Sequence, residues 1–425
     1  MLGAIKVVIM AGGKGTRIAS VNSDVPKSMF RIQDKPVLEH QICCLQRQGL
    51  CDITLVIGHL GSVIKDYFRG GGRWGVKITY VEETEPLGTA GALFNLKDLL
   101  REDFILINGD IIFDICFTPF YNFHVKVGGY ATIFAYPNSH PYDSALVVTD
   151  SENRVIKWIH REEPRTWYKN LTNAGLHILS PSVLNPIKGT GTLDLDRDVL
   201  KPLISKGLLY AYESPEYVMD MGTPDRFAQV LRDVNSGLVA SKNLNNKQKA
   251  LFLDRDGTIN KYSGFLTNID EFELIEGISE KIRIANRSGY LVIVVTNQPV
   301  IARGELSWDE LNAIHNKMET LLGREGAYID HIFVCPHHPH TGYVGEQPEY
   351  KVECDCRKPK PGMLLEAAEK YNIDLNLSFM IGDSSSDMEA GKRAGCKCVW
   401  TKDFISGMGV ELVGSEFFTA NEPLI

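Results

Sequence analysis

The sequence predicts an α/β fold built as two domains. Three observations predict it. Short β-branched runs alternate with helical patterns along the chain. Two of those runs open directly onto loops of the kind that handle phosphate. A polar stretch without an aromatic residue, 235–249, lies between them. The 425 residues suit two or three domains. We therefore expect one domain over 1–235, a linker over 236–248 and a second domain over 249–425.

The composition narrows the class. Hydrophobic residues make up 44% and charged residues 23%, which excludes a disordered or fibrous chain. A net charge of −8 without a basic stripe argues against nucleic-acid and anionic-membrane partners. MLGAIKVVIM carries no basic leader, and no run approaches 18 apolar residues. The expected compartment is therefore the cytoplasm. Its reducing chemistry leaves the nine cysteines free, catalytic or metal-bound. The Asn-x-Ser/Thr triplets at Asn170 and Asn376 are then chance matches.

In chain order, IKVVIM is a buried first strand, and Gly12-Gly13-Lys14-Gly15-Thr16-Arg17 follows it. Glycines let backbone amides approach phosphate oxygens, and Arg17 can fork onto one. The loop is neither a Walker A nor a dinucleotide fingerprint. A helix is expected over 38–49, strands over 53–58 and 76–81, a helix over 88–100 and a strand over 104–108. In the second half, strands are expected over 290–296 and 379–383, with a helix over 307–326. Ligands in such sheets sit at the carboxyl ends of strands. Cys43, Cys44 and Cys51 read as small hydrophobes. Cys396 and Cys398 share a face of a strand-like run. The tail beyond about residue 402 is uninformative.

Several further pieces join the first loop: Pro26-Lys27-Ser28-Met29, Glu85-Pro86-Leu87-Gly88-Thr89-Ala90-Gly91, Asn108-Gly109-Asp110, Asn173-Ala174-Gly175 and Asp220-Met221-Gly222-Thr223-Pro224. Taken alone, Asp110 is a strand-end turn cap and Asp220 a helix cap. Together the set resembles the sugar-nucleotidyltransferase family, with its Rossmann-like fold. The resemblance implies that a sugar 1-phosphate attacks the α-phosphorus of an NTP and releases pyrophosphate. It implies that Arg17 and the Gly12, Gly13, Gly15 and Thr16 backbone hold the triphosphate. Lys27 steers the sugar phosphate, Gly88 and Asn173 line the nucleotide and sugar, and Asp110 and Asp220 carry Mg²⁺. The family's Glu-Lys-Pro is Glu162-Glu163-Pro164 here.

The second half opens with the strand ALFL and Asp254-Arg255-Asp256-Gly257-Thr258. Side chains two apart on an extended chain point the same way. Paired carboxylates suit a nucleophile and a general acid/base. With Thr296-Asn297-Gln298, Arg357-Lys358-Pro359 and Gly382-Asp383-Ser384-Ser385-Ser386-Asp387, the set resembles the haloacid dehalogenase (HAD) phosphohydrolases. The resemblance implies that Asp254 attacks phosphorus and that Asp256 protonates the leaving oxygen and then activates water. Thr296 and Lys358 hold phosphoryl oxygens, with Arg357 beside them. Asp254, Asp383 and the Asp256 carbonyl bind Mg²⁺. Cys335-Pro336-His337 and Cys354-Asp355-Cys356 form a four-ligand set suited to structural zinc, with no open position and with His338 and His340 as rivals to His337.

DRDGTIN, VVTNQPVIARGE, CPHHP and CDCRKPKPGML resemble the heptose-bisphosphate phosphatases, which places Asn297 and Arg303 near substrate. Here Pro299 and Ser384 replace that family's common Ser and Lys. The first half also resembles the heptose 1-phosphate guanylyltransferases. The resemblances imply a bifunctional enzyme of GDP-heptose synthesis: dephosphorylation of heptose 1,7-bisphosphate, then nucleotidyl transfer from GTP. Three alternatives stay open: another sugar, histidinol phosphate, or a non-catalytic N-terminal sensing domain. A homo-oligomer is also left open.

Overall fold

The computed structural model describes residues 2–13, 25–83, 85, 87–185 and 192–407. The chain forms two compact units. One comprises Met1–Tyr136, Val147–Ile159 and Thr172–Asn243; the other comprises Pro137–Leu146, His160–Leu171 and Leu244–Ile425.

In the first unit, Lys6–Met10 is a central strand, parallel to Asp52–Ile57 on one side and Phe104–Asn108 on the other. Lys77–Glu82 extends the sheet in parallel beyond Asp52–Ile57, and Thr172–Leu179 pairs antiparallel with Phe104–Asn108. Val7, Val8 and Ile9 are fully buried, as a strand covered on both faces requires. The helix Val37–Arg47 buries Leu38, Ile42 and Leu45 in the same core as Val7 and Ile9. The expected helix over 88–100 is only Gly91–Asn95. Bonds from Leu93 to Ala90 and from Leu96 to Leu93 tighten the chain into turns around it.

The second unit contains a five-stranded parallel sheet in the order His331–Cys335, Leu291–Asn297, Ala250–Leu253, Phe379–Gly382, Lys397–Trp400. Period-two alternation divides its side chains between two cores. Leu251, Leu253, Val292, Val294 and Ile381 enter one; Ala250, Phe252, Leu291, Ile293 and Met380 enter the other. Trp308–Arg324 starts at Ser307, whose side chain and that of Glu310 form a reciprocal capping box.

The unit boundaries differ from the expected division in two ways. The stretch 236–248 is packed, not a loose linker: Leu238–Ser241 is helical, and Lys242, Asn243 and Gln248 are buried. Its polar residues make bonds; Asn243 Nδ2 donates to Asp114 (2.8 Å) and Gln248 N to Asn372 O (2.9 Å). Second, 137–146 and 160–171 group with the later residues. Tyr168 N donates to Thr320 Oγ1 (2.9 Å), and Asn170 N to Glu319 (2.6 Å). The Trp167 ring lies under both Lys317 and Arg324. Glu163 Oε1 accepts from His160 N (3.2 Å), so the Glu162-Glu163-Pro164 departure sits in this segment.

Candidate active sites and a candidate metal centre

In the second unit, four strands deliver site residues at their carboxyl ends. Asp254 follows Ala250–Leu253, Thr296 and Asn297 close Leu291–Asn297, Cys335 closes its strand, and Asp383 follows Phe379–Gly382. Lys358 Nζ lies 2.7 Å from Asp254 Oδ1 and 2.6 Å from Asp387 Oδ1. Its side chain is 2% exposed and that of Asp254 13%. Burial disfavours the lysine's charge, but the two carboxylates outweigh it and hold its pKa above the ordinary value. Burial pushes Asp254 up to about 6 against the pull of Lys358.

Asp254, Asp383 and Asp387 bring one oxygen each within 4.8 Å of one another. Lys358 offsets the repulsion between Asp254 and Asp387, Asp383 adds a third carboxylate, and the all-oxygen donor set suits Mg²⁺. Gly257 is required beside them: it has φ +81°, and a Cβ there would lie 2.1 Å from Asp383 Oδ2.

Side-chain donors hold both oxygens of the Asp256 carboxylate. Its Oδ1 accepts from Arg255 Nη2 (2.9 Å) and Asn260 Nδ2 (3.1 Å). Its Oδ2 accepts from Arg255 Nη2 (2.8 Å) and Gln298 Nε2 (2.9 Å). Gln298 Nε2 also donates to Thr296 Oγ1 (2.8 Å), so one amide links two expected site residues.

Two expected contacts are taken up by the protein itself. Asn297 bonds the backbone of Lys358 at both its N–H and its carbonyl. Arg303 is buried, stacked against Phe265 and Tyr343, with Nη2 on His338 Nε2 (3.3 Å). Arg357 Nη1 donates to His337 O (3.1 Å), tying the cationic pair to the cysteine loop.

In that loop Cys335, His337, Cys354 and Cys356 bring their ligand atoms within 4.8 Å of one another. Cys356 Sγ is 3.2 Å from His337 Nδ1 and 3.2 Å from Cys335 Sγ. Burial lowers the His337 pKa and favours the neutral ring that ligates metal. Three thiolates and one imidazole are the donor set of a closed tetrahedral zinc site.

In the first unit, Lys27 Nζ meets Asp110 Oδ2 at 2.5 Å. Asp220 stands on the strand Tyr217–Asp220, which pairs with Ile111–Asp114, and Met221 N donates to Asp110 O (3.0 Å). The two acids therefore sit on adjacent chains. Arg226 Nη1 contacts both Asp220 oxygens (3.0 and 2.9 Å). Burial would raise the Asp220 pKa, but Arg226, the Gly222 amide and Lys27 hold it below the ordinary value.

Gly15, Thr16 and Arg17 lie outside the described residues. Gly12 packs on Glu83: a Cβ at Gly12 would lie 2.4 Å from Glu83 Oε2, whereas Gly13 faces open space. The need for glycine at 88 differs from the expected approach to a ligand: φ is +78°, and a Cβ would lie 2.3 Å from Leu193 O. The Asn173 amide, expected at the nucleotide, is spent on Asp196 Oδ1 (3.3 Å) and Gly175 N (3.2 Å).

Sequence reasoning passed over Asp387, Gln298 and Glu83. Asp387 Oδ2 accepts from Ser384 N and Oγ, while Oδ1 reaches Lys358.

The nucleotidyl transferase family profile matches residues 6–237, and a HAD-hydrolase-like profile matches 355–403. Over 150 residues the chain is 48% identical to a D-glycero-beta-D-manno-heptose-1,7-bisphosphate 7-phosphatase of Pasteurella multocida, covering 35% of this chain and 79% of that protein. Over 149 residues it is 45% identical to a D-glycero-alpha-D-manno-heptose-1,7-bisphosphate 7-phosphatase of Burkholderia mallei, covering 35% and 77%. Among solved structures, HddC of Yersinia pseudotuberculosis aligns at 26% identity and TM-score 0.48, over 54% of this chain and 99% of that one.

Proposed function

The chain belongs to the nucleotidyl transferase family over more than half its length and to the heptose-bisphosphate phosphatase family, and from that premise we propose that it carries out consecutive steps of GDP-heptose synthesis. The phosphatase removes the 7-phosphate of D-glycero-D-manno-heptose 1,7-bisphosphate. The transferase then joins the resulting 1-phosphate to a guanylyl group and releases pyrophosphate. The observation that carries this reading is that one chain holds both families, and the product of one chemistry is the substrate of the other.

In the first reaction an Asp254 oxygen attacks the 7-phosphorus and the P–O bond to the sugar breaks. Asp256 gives its proton to the departing oxygen. It then takes a proton from the water that cleaves the aspartyl-phosphate, and inorganic phosphate leaves. Lys358 and Thr296 hold the phosphoryl oxygens. Mg²⁺ bound by Asp254, Asp383 and Asp387 would supply charge neutralisation for a dianionic substrate. Zinc on Cys335, His337, Cys354 and Cys356 would fix the loop that leads into Arg357 and Lys358.

In the second reaction Lys27 draws in the sugar phosphate, and Asp110 and Asp220 would hold Mg²⁺ against the triphosphate. Glu83 supports guanine as the base. Among the described residues its buried Oε1 accepts no hydrogen bond, its other oxygen lies against Gly12, and the Leu87 backbone amide also meets the carboxylate. An ionised carboxylate only accepts. Guanine alone among the common bases offers two adjacent N–H donors on one edge, which two carboxylate oxygens can take together.

The test is one-pot turnover of heptose 1,7-bisphosphate with each NTP, followed by mass spectrometry. GDP-heptose, phosphate and pyrophosphate are expected. Histidinol phosphate as by far the best phosphatase substrate, or no pyrophosphate with any NTP, would overturn the reading.

A further inference from the structure

Arg255 stands between the expected nucleophile and the expected acid/base, yet its side chain is fully buried. Its guanidinium is divided by function. Nε (3.1 Å) and Nη2 (2.9 Å) face Asp256 Oδ1, whereas Nη1 faces His315 Nε2 at 3.2 Å. His315 projects from Trp308–Arg324 and is itself buried. Arginine only donates, so His315 Nε2 accepts and the ring proton sits on Nδ1. Burial and the adjacent guanidinium keep the ring neutral, well below the ordinary imidazole value.

We propose that His315 is a positioning residue for the phosphatase: by holding Arg255 Nη1 it aims the other edge of the guanidinium at Asp256 and so orients the Asp256 carboxylate toward the departing oxygen. The inference rests on the phosphatase reading above and adds a member to its machinery. Without the acceptor, Nη1 is left buried with its bond unmade and the guanidinium plane is free to turn toward another partner. Asp256 then keeps Asn260 and Gln298 but loses the fork that fixes its plane. The step affected is breakage of the P–O(sugar) bond, in which the alkoxide oxygen takes the Asp256 proton as Asp254 bonds to phosphorus.

The dependence on proton delivery gives a readout that misfolding cannot imitate. A sugar alkoxide is a poor leaving group and needs the proton; p-nitrophenolate leaves without it. For both substrates kcat/KM reports the steps up to aspartyl-phosphate formation. His315→Leu and His315→Gln are compared with wild type in the full chain, on heptose 1,7-bisphosphate and p-nitrophenyl phosphate, with zinc content and circular dichroism as folding controls. The Leu variant is expected to lose about tenfold in kcat/KM on the sugar phosphate and less than about threefold on p-nitrophenyl phosphate. The Gln variant, which restores an acceptor, recovers most of the difference. Equal losses on both substrates, no loss on either, or a Gln variant no better than Leu would overturn the proposal. An inactive wild-type phosphatase would instead sink the reading on which it rests.

Discussion

Asn297 holds Lys358 by both of its main-chain polar groups: Nδ2 donates to the Lys358 carbonyl at 3.0 Å and Oδ1 accepts from its N–H at 3.1 Å. The side chain that ends one strand therefore sets the backbone from which Lys358 extends to Asp254. Asn297→Ala is expected to lower phosphatase kcat/KM about tenfold, the worth of one to two net hydrogen bonds at roughly 1 kcal/mol each. Pyrophosphate release by the transferase should not change. Steady-state kinetics of both reactions check this; an unaltered phosphatase would remove Asn297 from its positioning role.

Asp254→Asn is expected to abolish phosphate release while nucleotidyl transfer to heptose 1-phosphate continues at the wild-type rate. Separate assays of the two half-reactions read the result. Loss of both would mean that the two sites are energetically coupled.

About one tightly held zinc per chain is expected from the Cys335, His337, Cys354 and Cys356 set. Cys354→Ser should lose that zinc, and phosphatase activity should fall with it, because Arg357 bonds the His337 carbonyl. Metal analysis showing unchanged zinc in the variant would remove this ligand assignment.

Glu83→Gln should cost at least about tenfold in kcat/KM with GTP, within the roughly 1–3 kcal/mol carried by a good bidentate base contact. It should also narrow the preference for GTP over ATP. Equal losses with all four NTPs would show that Glu83 does not read the base.

Acid should weaken the first unit through His177. The residue is 1% exposed, and burial pushes its pKa down to about 4. An unfolded histidine titrates near about 6.5, so between these values the unfolded chain binds the extra proton and folding weakens as pH falls. The stability difference between His177→Leu and wild type should shift in favour of the variant by about 2 kcal/mol from pH 7 to 4.5. Urea titrations across that range check it; a pH-independent difference would refute it.

The sheets were legible because their strands are apolar runs of the right length, and Ala250–Leu253 and Phe104–Asn108 lie where the patterns place them. The paired acids and the cysteine spacing were legible because their chemistry is carried by short-range motifs. The contacts of Gln298, His315 and Glu83 were not. Each acts through a partner distant in sequence or against backbone, and nothing in a helix or a strand end distinguishes such a residue from an ordinary core polar group. The Asn173 amide meets Asp196 and a local turn, contacts that its motif did not indicate. Asn243 and Gln248 misled because polar residues read as solvated, whereas here they are buried and bonded.

The backbone passes between its two units at 136/137, 146/147, 159/160, 171/172 and 243/244. A chain cut after residue 243 would part the second unit from two of its segments, 137–146 and 160–171. The leading fragment would carry Tyr168 and Asn170 without the Thr320 and Glu319 that bond them, and the trailing fragment would lack the peptide that covers Thr320. A cut at that point therefore parts bonded partners that belong to one compact unit.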